Sequence, residues 1–401
     1  MGVASVWGGR LAAQLEQDPA LETIVGIDTS DPRHELERTE FVRTESDPSL
    51  IARIIRAAEL DTIIDTTAVR DTQPDRGLRM DGTAMRELLA AAESAGVRKL
   101  VIKSSAEYYG SGRDAPAFFT EDMSAGEEPR SRAGRDLVEV EQAVADFAGH
   151  HPELVVTVLR CALPVGSALR TPHLSLLGLP AVPAILGFDP RWQFVHEDDV
   201  VGALAHAAAV DMAGAYNVAA DGVLALSEVA GLLGKPLLPV LPPWGTLFAA
   251  ARMRRLGLPV PLGLLRELRY GRGLDNRRLK TTGYTLRYTS REAILKLLAQ
   301  QRLRPLLERG EDEYRFESEV EAFLRHSPSV ELPGGPASRL GPPGAGGYSA
   351  LQENELLAVI PSLETEAMQR LREHEAAGPA RPAVLQEIDH QLELRDSFGS
   401  G

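Results

Sequence analysis

The sequence predicts an α/β fold built on a doubly wound parallel sheet, followed by a smaller C-terminal lobe and a separate helical tail. Three observations lead there. From the start to about residue 220, short runs rich in Val and Ile alternate with stretches of helical period, the order of repeated βαβ units. Prolines then cluster at 236, 239, 242 and 243 and again at 259 and 261, which breaks any long helix and marks an irregular lobe. Finally, residues 328–348 are dominated by Pro, Gly and small side chains, too little apolar surface to offset the entropy of ordering.

The apolar β-branched runs place strands at 23–28, 62–66, 99–104 and 155–160. Apolar residues at helical spacing place helices at 9–17, 50–58, 83–94 and 137–148. The expected division is a first domain over 1–165, an interleaved lobe over 166–305, a linker over 328–348 and a charged helical tail over 349–395. No sequence feature names the tail's partner.

Composition narrows the function classes. The 401 residues are 44% apolar and 25% charged, enough for a packed interior under a solvated surface. With 43 Lys and Arg against 57 Asp and Glu the net charge is −14, which opposes nucleic acid as a partner. The most apolar stretch, 174–188, is interrupted by Pro180 and Pro183, so no membrane span is expected. The first residues lack the pattern of a secretory signal, and Cys161 is the single cysteine; both point to the cytoplasm.

His196 stands beside Glu197, Asp198 and Asp199, but no metal is expected there. Asp198 or Asp199 is expected to cap the helix that follows, since acids favour its N-terminal dipole. The apolar, proline-rich stretch 237–265 reads as ordinary lobe core, with a lipid-like ligand or a membrane surface as alternatives.

The opening GVASVWGG runs directly into a helix, with Gly2 and Gly8 at the outer positions of a glycine spacing and Ser5 at its centre. Glycines there let backbone approach a pyrophosphate at a helix N-terminus. Twenty residues beyond Gly8, Asp28 ends a strand, where a carboxylate accepts ribose hydroxyls and repels a 2′-phosphate, favouring NAD over NADP. The blander reading is a glycine turn before a helix and Asp28 as a turn residue. Such a fingerprint normally follows a strand, so the true start is expected to lie upstream.

These stretches, together with VRKLVIKSSAEYYG at 97–110, TED at 120–122, TVLRCALPVG at 157–166 and FVHEDDVVGAL at 194–204, resemble the extended short-chain dehydrogenase/reductase superfamily, in particular the NAD-dependent epimerase/dehydratase family. YNVAADGVLALSEVAGLLG at 216–234 and DNRRLKTTGY at 275–284 look like its substrate-lobe landmarks. The resemblance implies a Rossmann domain holding NAD, a lobe closing over a nucleotide sugar or related hydroxyl substrate, and a homodimer packed through two helices per subunit. The expected cofactor contacts are Gly2, Ser5, Trp7, Gly8, Asp28, Thr66 and Ser104. Trp7 either covers the phosphates or packs beneath the helix.

Ser105 matches the family's substrate-orienting serine. The family's Tyr-x-x-x-Lys pair has no match: its positions fall on Ala133 and Leu137, and none of the eight tyrosines has a lysine four residues on. Arg79 and Leu163 also replace expected asparagines. Glu107 aligns with a glutamate base of the dehydratase branch. Lys103 or Glu107, or the neighbouring Tyr108 or Tyr109, is the candidate for proton transfer. The alternative pairs Lys103 with Glu121 or Asp122 and leaves Tyr109 to packing. Two readings follow: an atypical NAD-dependent oxidoreductase or isomerase, or a catalytically inactive NAD-binding sensor or scaffold.

Overall fold

The computed structural model describes residues 1–44, 47–69, 78, 80–125, 132–240, 262–307, 353, 357, 360, 365–377 and 380–398. Ser5 caps the first helix, α1 (Val6–Leu15), its hydroxyl accepting the Gly8 amide at 3.0 Å. The cap starts the helix three residues ahead of its first apolar repeat. Strands β1 (Ile24–Asp28) and β2 (Thr39–Arg43) pair in parallel. Asp47 caps α2 (Pro48–Ala57), and Asp81 caps α3 (Gly82–Ala95), which ends at Gly96 in the left-handed region.

The remaining strands of this half are β3 (Thr62–Asp65), β4 (Lys99–Ser105) and β5 (Val155–Cys161), with α4 (Arg132–His150) between the last two. A strand from further along, β10 (Gly214–Val218), completes a parallel sheet in the order β10-β5-β4-β3. Ile51, Ile55, Leu88, Leu100, Val140 and Val144 belong to the apolar core where α2, α3 and α4 cover one face. Helices α1 and α6 (Glu197–Ala209) meet, and α6 also packs on β3, β4 and β5, so helices cover both faces as a doubly wound sheet requires. Cys161 is buried at the end of β5, in register with Val218 of β10.

Between β1 and β3 stands the short stretch Met1–Gly2. The Gly2 amide donates to Ile27 O at 2.8 Å, and the Thr66 amide donates to Met1 O at 3.3 Å. Among the described residues no full strand lies between β1 and β3, and the two sheet pieces are joined at their C-terminal ends by this link.

The lobe is assembled from two-stranded pieces. β6 (Leu163–Val165) pairs with β9 (Phe194–His196), β7 (Val182–Ile185) with β12 (Leu237–Val240), and β8 (Arg191–Trp192) with β11 (Leu224–Ala225). The pairs are short because prolines and glycines punctuate the chain. α6 is capped differently from the sequence expectation: His196 Nδ1 accepts the Asp198 amide at 3.2 Å. The cap position lies one residue ahead of the acids, which are used elsewhere. Asp198 pairs with Arg10 of α1 at 2.5 Å, and Asp199 accepts the amides of Arg287 at 2.7 Å and Tyr288 at 3.3 Å. At the other end of α6, buried Lys99 donates to Ala208 O at 2.9 Å and pairs with Asp211 at 2.6 Å.

Residues 1–297 form one compact unit and 298–401 a second. Within the second, helices Thr365–Ala377 and Pro382–Phe398 share a small core of Ile360, Met368, Leu371, Val384 and Ile388, and Arg372 pairs with Asp389 at 2.5 Å. The Pro/Gly-rich stretch 328–348, most of the proline-rich segment beyond Val240 (241–261) and Arg79 lie outside the described residues. Among the described residues no helix is long and apolar enough to cross a membrane, and no three His, Cys, Asp or Glu side chains are grouped to hold a metal.

Candidate active site

The glycine turn is dictated by close backbone approach. Gly2 adopts φ +84°, a region costly for any side chain, and a Cβ there falls 2.7 Å from Thr66 Oγ1. A Cβ on Gly8 falls 2.6 Å from the Gly2 carbonyl carbon and 3.0 Å from Val3 Cα. Ser5 occupies the centre of the turn with its hydroxyl turned inward, donating to Gly2 O at 2.7 Å and lying 3.2 Å from Thr66 Oγ1. The turn is therefore closed on itself, and the N-terminal end of α1 carries the partial positive charge of its first-turn amides. That arrangement fits a pyrophosphate, and Gly2, Ser5, Gly8 and Thr66 all stand in it.

Asp28 is only 1% exposed. One carboxylate oxygen accepts the Ala4 amide at 2.9 Å; the other accepts the amides of Thr29 at 2.7 Å and Leu78 at 2.9 Å. Its carboxylate thus ties the glycine turn to the end of β1, a role the sequence reading did not give it.

Trp7, in the first turn of α1, is buried, and the ammonium of Lys103 lies 4.9 Å from its ring centroid. Lys103, on the central strand β4, is 1% exposed. The acids named as its alternative partners are used elsewhere: Glu121 accepts the Asn217 amide at 2.9 Å, and Asp122 lies 3.4 Å from Arg278.

Residues alternate faces along β4, so Ser104 points away from Trp7 toward α4. There it meets Glu141, which holds Arg160 of β5 in a buried pair at 2.8 Å. The guanidinium also donates to Tyr109 Oη at 2.9 Å and lies 3.9 Å from the Tyr108 ring centroid. Tyr109 donates to Asn217 Oδ1 at 2.8 Å and stacks on Phe119. Burial pushes the Tyr109 hydroxyl up to about 12, so it is a poor base in this setting. The sequence reading missed this network. Its signal was Arg160 itself, a charge near the C-terminal end of a buried strand that demands an acid.

Ser105 ends β4 and Glu107 follows in the 3-10 turn Ala106–Tyr109. The Glu107 amide donates to Ser105 Oγ at 3.1 Å, and Glu107 is exposed at the C-terminal end of the sheet. In open α/β sheets that end is where ligands bind. The structure therefore brings Ser105 and Glu107 together, while Lys103 lies deeper against Trp7 and Ser104 belongs to the Arg160 network. Ala133 is exposed near the start of α4, and Leu137 is buried one turn on, so neither position offers a proton.

Residues 1–219 match the family model of the NAD dependent epimerase/dehydratase family. Uncharacterized proteins of Mycobacterium tuberculosis and Mycobacterium bovis are 33% identical over 322 residues, covering 77% of this chain and 84% of theirs. Among solved structures, MoeE5 in complex with UDP-glucuronic acid and NAD is 22% identical with a TM-score of 0.56, over 75% of this chain and 97% of that one. The UDP-glucose-4-epimerase of Stenotrophomonas maltophila with bound NAD is 18% identical with a TM-score of 0.55, over 76% and 97%. These likenesses give the Rossmann fold, and the sequence matches give the family. The glycine turn, the strand-end serine and the matched length agree: this chain belongs to the NAD-dependent epimerase/dehydratase family.

Proposed function

We propose that the protein binds NAD and acts as an epimerase/dehydratase-type oxidoreductase or isomerase on a nucleotide sugar or related hydroxyl substrate. The observation that supports this reading is the placement of Ser105 and exposed Glu107 at the C-terminal end of the sheet, with the Glu107 amide donating to Ser105 Oγ. Bound NAD supplies a hydride acceptor. Gly2, Ser5, Gly8 and Thr66 form its pyrophosphate turn, and Asp28 holds that turn on β1. Ser105 orients the substrate hydroxyl through its own O–H, while its oxygen accepts the Glu107 amide. Glu107 is the better-placed proton acceptor, because Lys103 is buried against Trp7 and works through the charge it places there. A protein of this kind with its one cysteine buried suits the cytoplasm.

A homodimer through α3 and α4 is part of the proposal. Its support is a groove between those helices, about 340 Å³, lined by Leu89, Ala90, Ala143 and Phe147 among charged neighbours. Light scattering at micromolar concentration checks it; a monomer across that range rejects it.

The catalytic test is NAD-linked turnover on a panel of nucleotide sugars. Ser105→Ala and Glu107→Gln each lower turnover by about 100-fold or more with NAD affinity retained, within the range known for lost acid–base groups. Lys103→Met weakens NAD binding instead. Unchanged turnover in all three rejects the assignment.

A second reading, an NAD-binding sensor or scaffold without turnover, is favoured by the buried Leu137 at the family's lysine position. Heat on mixing with NAD but no hydride exchange on any panel member selects it.

A further inference from the structure

Outside the site residues, one buried charge cluster touches the turn that carries them. Arg272 follows Gly271, whose φ of +66° and close approach to the Arg191 backbone leave no room for a side chain. The Arg272 amide donates to Arg191 O at 2.9 Å, which fixes its backbone to β8 of the lobe. The guanidinium reaches the other way. Its Nε donates to Gly110 O at 3.0 Å and its Nη2 to Ser111 Oγ at 3.2 Å, while Nη2 also pairs with Glu267. Glu267 is fully buried and anchored in turn by His173 Nε2 at 2.5 Å, and Trp192 Nε1 donates to Glu267 O at 3.2 Å.

Gly110 closes the turn after β4: its amide donates to Glu107 O at 3.0 Å, and the Glu107 amide donates to Ser105 Oγ. A continuous set of bonds thus runs from the lobe through Arg272 and Gly110 to Glu107 and Ser105. The lobe is held to the sheet by other bonds as well. Phe119 and Asp275 exchange backbone bonds with Gly273 and Phe119, each 2.9 Å, and Asn217 Nδ2 donates to Phe119 O and Asp275 O. Those ties fasten the framework. Among the described residues, Arg272's side chain fastens only the turn and its own anchor, Glu267. The crevice between them, walled by Ala106, Leu163, Trp192 and Leu274, has room for about one water, at ≈10 Å³.

We propose that Arg272 is a positioning residue: anchored on Glu267, it latches the turn bearing Ser105 and Glu107 in place and keeps bulk water from the crevice behind it. The proposal deepens the functional reading above and rests on it for its catalytic meaning. A lysine keeps the charge but lacks the planar fork that reaches Gly110, Ser111 and Glu267 together.

The test uses the full chain with NAD present, comparing wild type with Arg272→Lys and with Ser111→Ala, which removes one latch bond without stranding a buried charge. Hydrogen–deuterium exchange is read on the peptide over 105–111 and, as control, on 99–104. The latch requires exchange over 105–111 to rise about tenfold in Arg272→Lys and by a smaller factor in Ser111→Ala, with 99–104 and NAD affinity unchanged. Unchanged exchange over 105–111 in both variants overturns it.

Turnover on UDP-glucose and dTDP-glucose adds a second readout. Positioning lowers kcat at least tenfold in Arg272→Lys while KM moves less than threefold; an unchanged kcat in an active enzyme overturns the catalytic meaning. If wild type itself turns over no nucleotide sugar, the functional reading fails, and the exchange comparison alone still decides whether the latch exists.

Discussion

Gly8→Ala probes the glycine turn most directly. The added methyl falls 2.6 Å from the Gly2 carbonyl carbon and 3.0 Å from Val3 Cα, where ordinary contact starts at 3.4 Å. Both neighbours are backbone, so no side chain can swing aside. α1 must withdraw from the turn, and the 3.0 Å bond from the Gly8 amide to Ser5 Oγ stretches with it. Overpacking of this kind costs about 1 to 3 kcal/mol, and weakening the cap adds up to about 1. At roughly 2 to 4 °C per kcal/mol, the melting midpoint falls by about 2 to 16 °C. If the turn holds the pyrophosphate as proposed, NAD affinity falls further than stability does, because the displaced helix end carries the partial positive charge that favours an anion. Thermal unfolding and calorimetry with NAD, run on the same preparation, measure both. A variant that melts like wild type and binds NAD as tightly refutes the turn as the cofactor site.

Ser5→Ala removes the cap and leaves the Gly8 amide without its acceptor, lowering stability by about 1 kcal/mol, which thermal unfolding registers. Arg272 and His173 hold the Glu267 carboxyl down at about 2, below its ordinary 4.5. A depressed acid contributes stability that is fully present above pH 4.5 and lost as pH falls toward 2, on the order of 3 kcal/mol in all. Glu267→Gln flattens that acid limb in urea titrations at fixed pH, and an unchanged limb assigns it to other groups. Burial against Gly9 pushes His34 down to about 4, with Arg10 and Arg33 adding to the effect. A base held below its ordinary 6.5 keeps the fold fully stable above pH 6.5 and costs stability as pH drops toward 4. His34→Gln removes that dependence, and denaturant midpoints between pH 7 and 4 show it.

The strands with strong Val and Ile runs were legible in the sequence, within a residue or two of β1, β3, β4 and β5. Two were not. β2 reads TEFVR, a half-exposed strand whose charges mask its alternation, and β10 reads GAYNV, too short to stand out from its loop. α4 begins five residues ahead of its apolar repeat because its first residues, RAGRD, carry no large apolar side chain, and Ala133 and Arg135 are exposed. The placement of Ser105 and Glu107 at the C-terminal end of the sheet was legible, because the Val and Ile run of β4 fixes where that strand stops. Asp28's three backbone bonds, the His196 cap and the Glu267–Arg272 pair were not, since each joins residues whose partner is set by tertiary packing. A buried arginine such as Arg160 does announce that an acid exists, though not which one.

Cys161 has a practical consequence. Its thiol is buried at the end of β5, so a sulfhydryl reagent reaches it only when the packing over that end of the sheet opens. With one thiol per chain, the labelling rate counts those excursions without any engineered probe, and its slowing under added NAD gives the free energy that ligand lends to keeping that packing closed.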